Sequence, residues 1–212
     1  MLLAFDTSTP YVTVAVHDGE DVRVELFSEQ RMKHGEQLAP MIEQALRRAG
    51  ASPTDLTRLA VGVGPGPFTG LRVGLVTART LGYVLDIPVT GVCSLDVLAI
   101  EAVETQAVEG EFVVATDARR KEVYLASYAG GGTRTDGPVV DKPAALRTDL
   151  PVVGEGAVLY PDDFPLAAGP QRPGAGWLAR AVADERVELR GSEPLYLRRP
   201  DAVTPGARKP VS

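Results

Sequence analysis

Over the first thirty positions the chain alternates between apolar and polar residues. Residues 2–5 are apolar and end at Asp6, a "DTSTP" turn follows, and Val12, Val14 and Val16 then share one face of a second strand. After the "HDGED" turn, Val22, Val24 and Leu26 repeat the same period, so three consecutive antiparallel strands are expected. The period then lengthens to that of a helix. Leu38, Met41, Ile42, Ala45, Leu46 and Ala49 make one stripe, Pro40 marks its first turn or a kink, and Gly50 closes it behind Arg47 and Arg48. "SPTD" at 52–55 has capping-box spacing, and "RLAVGVG" reads as a buried strand. "TGLRVGLVTARTLGYVL" reads as a helix capped by Thr69, "IPVTGV" as a strand, and "SLDVLAIEAV" as a third helix capped by Ser94. The order β-β-β-α-β-α-β-α over residues 1 to about 104 is that of a ribonuclease-H-like unit and differs from the strict βαβ repeat of a Rossmann domain.

The pattern restarts after a polar linker near 104–110. "FVVATDARRKEVYLASYAG" again gives an apolar strand, a terminal aspartate (Asp117), a turn and a second strand. The interval from Asp6 to Tyr11 matches that from Asp117 to Glu122, which suggests a weak internal duplication and hence an actin-like, two-lobed architecture; the alternative is that any two hairpins look alike. Further on, "GGGTRTDGP" at 130–138 reads as a loop or hairpin tip. Residues 174–184 read as a helix with Trp177, Leu178, Ala181 and Val182 on one side, and the last dozen residues, with three prolines and no periodicity, as extended or disordered.

Composition narrows the classes. An apolar fraction of 44% suffices for a core, and a net charge of −6 argues against autonomous nucleic-acid binding, which shows a basic footprint. A single cysteine, Cys93, precludes an intrachain disulfide and fits a reducing compartment. The opening apolar run is too short for a signal-peptide core or a membrane span, and no later window is long enough to span a membrane, so a soluble cytoplasmic protein is expected.

The segment "VGVGPGPFTGLRVG", 61–74, is the most unusual in the chain. A Walker loop requires Gly-Lys-Ser/Thr, and no lysine occurs between Gly64 and Lys121. The dinucleotide fingerprint fails in both registers, with Pro67 or Thr69 where the third glycine belongs. Pro65 and Pro67 also lack the N–H groups with which a phosphate cradle works. Behind this turn Gly70, Gly74, Ala78 and Gly82 recur every four residues, leaving a bare row along one helix. Glycine costs a helix about 1 kcal/mol against alanine, so such a row marks a close backbone approach. Two readings stay open: packing on the chain's own sheet, or a docking face for a partner helix.

Together, "FDTSTP", "KHGEQLAPMI", "VGVGPGPFTGLRVGL" and "DARRKEVY" resemble the TsaB family of the bacterial machinery that makes threonylcarbamoyladenosine in tRNA. The resemblance runs from residue 1 to about 128, with "YLRRPDAV" a weaker match near the end. It implies an α/β actin-like (ASKHA) fold of two ribonuclease-H-like lobes, an N-terminal one over 1–104 and a smaller, degenerate one with an extended tail over 105–212. It also implies a scaffold subunit with no catalytic residues. Such a subunit pairs with TsaD, which transfers threonylcarbamoyl to N6 of adenosine 37 in tRNAs reading codons that begin with A. TsaE, an ATPase, joins the pair, and TsaC supplies the threonylcarbamoyl-adenylate. tRNA would be touched only within the complex, and no membrane is involved.

For the partner interface the resemblance points to the helices at 35–49 and 70–85 and to Leu38, Met41, Gly70, Leu71, Gly74, Leu75, Ala78 and Gly82, meeting their TsaD counterparts as a four-helix contact. Without TsaD the same face would make a homodimer. Asp6, Thr7, Ser8 and Thr9, with Gly64 and Gly66, stand where actin-like ATPases hold phosphate, and are expected as a vestigial nucleotide site. The alternative for that turn is local hydrogen bonding alone. No cofactor is expected to bind tightly; weak ATP or ADP binding at a partner interface is. No metal is expected either. TsaD proteins carry a His-x-x-x-His motif where Ser94 and Leu98 stand here, and His17 and His34 are the chain's only histidines. His34 reads as a helix-start residue. The competing function is an active actin-like ATPase or small-molecule kinase built on Asp6–Thr9 and the Gly64–Gly70 loop.

Overall fold

The computed structural model describes residues 1–198. The expected order of the first half is observed: β1 (Leu2–Asp6), β2 (Thr13–His17), β3 (Val22–Phe27), α1 (His34–Arg48), β4 (Arg58–Gly62), α2 (Phe68–Leu85), β5 (Val89–Val92) and α3 (Ser94–Glu104). Its sheet runs β3-β2-β1-β4-β5, with β1, β2 and β3 antiparallel and β1, β4 and β5 parallel. Leu3, Phe5, Val14 and Val16 point to the face covered by Leu38, Ile42 and Leu46 of α1 and by Leu71, Leu75 and Ala78 of α2. The Ser52–Asp55 capping box forms, with Ser52 N–H donating to Asp55 Oδ2 at 2.7 Å.

The second half repeats the path with β6 (Phe112–Asp117), β7 (Val123–Tyr128), β8 (Arg134–Asp141), β9 (Val152–Val153), α4 (Glu155–Leu159), β10 (Ala167–Ala168) and α5 (Ala175–Ala183). Its sheet runs β8-β7-β6-β9-β10 with the same pattern of antiparallel and parallel pairs. The duplication read from two aspartates is thus present in the topology of two complete sheets. The second copy is reduced: five-residue α4 stands where the first has eighteen-residue α2, and between β8 and β9 only a short 3₁₀ turn at Pro143–Ala145 replaces α1.

The two units exchange their last helices. Leu95, Leu98, Ala99 and Ala102 of α3 pack with Phe112, Val114 and Tyr128 of the second sheet. Leu178, Ala179 and Val182 of α5 pack with Leu2, Ala4 and Ala60 of the first. The helix expected inside the second lobe therefore lies on the first sheet, over β1, β2 and β3. Periodicity gives a helix's apolar face but not the sheet that covers it.

Three local expectations are corrected. Pro67, extended at φ −60° and ψ 134°, caps α2, so Thr69 lies inside the first turn. Cys93 precedes α3, and the Ser94 side chain is used elsewhere. The stretch 130–138 is a hairpin tip only as far as Thr133; Arg134 onward forms β8, a largely exposed edge strand whose polar residues mask its period. Beyond α5 the chain straps the lobes together. Arg190 and Gly91 exchange N–H···O bonds of 2.8 and 2.9 Å, Leu195 N–H donates to Val63 at 2.9 Å, and Arg198 donates to Ala118 O at 2.9 Å. The basic tail expected to be extended or disordered lies outside the described residues.

Candidate functional site

The turn after β1 is closed by its own protein. Asp6 is 2% exposed. Its Oδ1 accepts the Ser8 N–H at 2.6 Å and its Oδ2 the Ser94 hydroxyl at 2.5 Å. The Ser94 oxygen in turn accepts the Gly64 N–H at 3.2 Å, which ties the turn, the glycine loop and the start of α3 into one chain of bonds. Burial raises the Asp6 carboxyl above its ordinary range, against the lowering effect of Ser8 and Ser94. A Cβ at Gly62 would overlap the Asp6 carboxylate, and one at Gly66 the Ser8 carbonyl. The loop therefore lies directly on the turn. Of the expected nucleotide-site residues, the structure brings together Asp6, Thr7, Ser8, Thr9, Gly64 and Gly66, but through contacts with one another.

The small-residue row has the same address. A Cβ at Gly70 would overlap the Thr7 carbonyl, at Gly74 the Thr7 hydroxyl oxygen, and at Gly82 the Val89 side chain. Thr7 Oγ1 donates to Gly70 O at 2.9 Å, and a His34 ring nitrogen meets Thr9 O at 2.7 Å. Leu38, Leu71, Leu75 and Ala78 are buried in the first core, and Met41 packs half-buried against it. Of the eight residues expected at a partner interface, seven thus face inward. Gly70 and Gly74 are bare where the turn sits on them and Gly82 where Val89 does, so the chain's own packing fills the space beside the row.

The outward side of α2 is a different set. Val76, Tyr83 and Val84 are 60, 89 and 69% exposed, and they follow helical spacing. Beside them an apolar groove of about 550 Å³ runs between the helices, lined by Ala39, Ile42, Leu46, Ala51, Thr77 and Leu81.

Comparison with known proteins places this arrangement. The family model described as "TsaD: tRNA N6-adenosine threonylcarbamoyltransferase" matches residues 28–158, more than half the chain. An Escherichia coli protein named "tRNA threonylcarbamoyladenosine biosynthesis protein TsaB" is 35% identical over 127 residues, 60% of this chain and 54% of that protein. A solved structure of YeaZ from Pseudomonas aeruginosa superposes with a TM-score of 0.77 at 29% identity, covering 92% of this chain and 99% of that one. The chain belongs to the TsaB family. An uncharacterised protein of Mycobacterium tuberculosis is 41% identical over 206 residues, 95% of this chain and 93% of its own. The actin-like, two-lobed α/β fold follows from the paired sheets and the YeaZ superposition.

In this TsaB-family chain the second-lobe turn is built differently from the first. Asp117 Oδ1 accepts the Arg119 N–H at 2.8 Å, and Oδ2 pairs with the Arg119 guanidinium at 3.2 Å. Arg119, Arg120 and Lys121 are exposed and all left-handed, with φ of 62°, 56° and 61°. Between the two turns lies a cavity of about 270 Å³, whose lining includes Thr9, His34, Phe68, Arg119, Arg120 and Tyr124. Among the described residues no group of three or more His, Cys, Asp or Glu side chains converges as a metal site. Burial, and then Asp96, push the Cys93 thiol up to about 12, so it is not a thiolate nucleophile. No described helix is long and apolar enough to cross a membrane.

Sequence reasoning missed two features. Ser94 was read as a cap because Ser precedes an apolar run; its bond to Asp6 spans 88 residues and leaves no local signal. Val76, Tyr83 and Val84 are legible as apolar residues on the side of α2 away from the glycines, a signal that the glycine row outweighed.

Proposed function

We propose that this chain acts as a non-catalytic partner subunit in tRNA threonylcarbamoyladenosine biosynthesis, the process for which its TsaB relatives are named. It pairs with TsaD through the outward faces of α1 and α2, TsaE joins the pair, and TsaC supplies the activated threonylcarbamoyl group. tRNA is met within that assembly, in the cytoplasm. The observation that carries this reading is the exposed Val76, Tyr83 and Val84 stripe beside the α1–α2 groove, while the turn that holds phosphate in actin-like ATPases is occupied by its own loop. An exposed apolar stripe can also meet its own copy across a two-fold axis, so without TsaD it closes a homodimer.

Tyr83→Glu combined with Val84→Glu tests the interface. Both positions are solvent-exposed, so the monomer stays folded, while TsaD affinity measured by calorimetry falls by about 30-fold or more. Binding at undiminished affinity would sink this interface. A modification assay with and without the chain then tests the subunit role. The competing ATPase or kinase reading, and weak ATP or ADP binding, would use the interlobe cavity with Arg119 and Arg120 at its rim. Titration with Mg-ATP separates the two: turnover abolished by Asp6→Ala favours the enzyme.

A further inference from the structure

Helix α5 is seated on the first sheet through a pair of carboxyl groups far from the docking face. Glu25 of β3 and Glu101 of α3 converge on its first turn. Glu25 Oε1 accepts the Gly176 N–H at 2.8 Å. A Cβ at Gly174 would stand 3.0 Å from Glu25 Oε1 and 3.6 Å from Glu101 Oε2, and one at Gly176 would stand 2.7 Å from Glu25 Oε2. Two bare glycines thus let Glu25 reach the helix backbone and leave room for Glu101 beside it. Glu101 Oε2 is buried without a hydrogen-bond partner, and the Trp177 indole is a neighbour of the same carboxyl. A buried carboxylate oxygen without a donor is costly, and a protonated carboxyl removes the charge and adds a donor.

We propose that Glu25 and Glu101 form a proton-operated clasp: with a proton on Glu101 α5 seats firmly on the first sheet, and with Glu101 charged the seat loosens. Burial, then the charge of Glu25, push Glu101 from 4.5 to about 7. A value raised in the folded state means that the clasp's contribution is complete below 4.5 and is lost as pH rises through about 7. Two cations face the site, since Arg23 and Arg180 line one pocket with Glu25, Gly176 and Trp177. On α5 the Arg180 guanidinium stands 5.5 Å from the Trp177 ring centre, on β3 Arg23 pairs with Asp18, and on α3 Glu104 pairs with Arg186. From β2 the neighbour is Thr13, whose hydroxyl donates to Pro173 O at 3.4 Å. Because α5 carries the second half of the chain back onto the first sheet, the clasp makes the joining of the lobes pH-sensitive.

Trp177 is the sole tryptophan of the sequence and lies beside Glu101 at the start of α5, so its emission reports the charge of that carboxyl. Between about pH 5.5 and 8.5 the full chain should show one emission transition with its midpoint near 7. Glu101→Gln should abolish it, and Glu25→Gln should lower the midpoint by about one unit through loss of the like charge. At the alkaline end, α5 amides should exchange about tenfold more slowly in Glu101→Gln than in the parent chain once intrinsic rates are divided out. Emission that is flat across the range, or an unchanged transition in Glu101→Gln, overturns the proposal. Should Glu101→Gln fail to fold, an unshifted midpoint in Glu25→Gln overturns it equally.

Discussion

Asp6 and Asp117 each end the first strand of a five-stranded sheet, pair with the first residue of the next strand, and accept the N–H two residues on, at 2.6 and 2.8 Å. From there they diverge. The Asp6 turn is covered by the glycine loop, the first turn of α2, Ser94 of α3 and His34 of α1, and Thr7, Ser8 and Thr9 are all buried. The Asp117 turn stands at the surface with three basic residues in the left-handed region. The same hydrogen bond therefore serves a rigid seat in one lobe and an exposed basic tip in the other. What differs is the chain after the fourth strand of each unit: a glycine loop and eighteen helical residues in one, five in the other. An Asx turn becomes part of a core only when another element has been shaped to lie on it.

The sharpest way to break this comparison is to fill the seat. Gly66→Ala puts a methyl group into the Ser8 backbone, which cannot rotate away, and should cost about 3 kcal/mol, whereas Gly131→Ala in the second lobe meets open space and should change little. Equal melting temperatures for the two variants would contradict it. Removing the aspartates comes next. Asp6→Ala leaves the Ser8 N–H and the Ser94 hydroxyl without their acceptor in a buried site, for about 2–3 kcal/mol. Asp117→Ala loses one local bond and a solvent-screened ion pair, for about 0.5–1 kcal/mol. Denaturant unfolding of both variants gives the ratio.

The Asp6 contrast also has a pH signature. Because burial raises its folded carboxyl above 3.8, the parent chain should lose stability relative to Asp6→Asn as pH rises above that value. Thermal unfolding at successive pH values checks the slope, and a difference that grows with pH would reverse the sign. The smallest effect should be a gain. Lys121 is held at φ 61°, where a side chain costs about 1–2 kcal/mol, so Lys121→Gly should stabilise the chain by roughly 0.5–1 kcal/mol after glycine's larger unfolded-state entropy is subtracted. No gain in melting temperature would show that the basic tip is not strained.

Much of the fold was legible from the period of the apolar residues alone. Val12, Val14 and Val16, then the α1 stripe, then the alternation through β5 and α3 give the first unit almost residue by residue. The second unit was legible at β6, β7 and α5, where burial is continuous or helical, and illegible at β8, β9 and β10. Two of those strands are two residues long, and the third is an exposed edge whose side chains carry no buried face. Of the candidate site, the aspartates, the turn and the glycine row were found by type and spacing. The side on which the row is used was not, because a missing side chain looks the same whether a partner or the chain's own Thr7 fills the space. The strap from Arg190 to Arg198 was invisible, since its bonds to Gly91, Val63 and Ala118 are made by single residues with no repeat.

The sequence by itself determined the elements of the first unit, their order and the family, and it suggested the duplication, because these depend on side-chain period and on motifs a few residues long. Only the tertiary structure decided that α3 and α5 change places between the sheets, that Ser94 holds Asp6, and that the glycine row faces inward while Val76, Tyr83 and Val84 face out. Those choices turn on which of two compatible apolar faces meet, and on contacts such as Thr7–Gly70 across 63 residues and Asp6–Ser94 across 88, where packing and desolvation act and local propensity is silent.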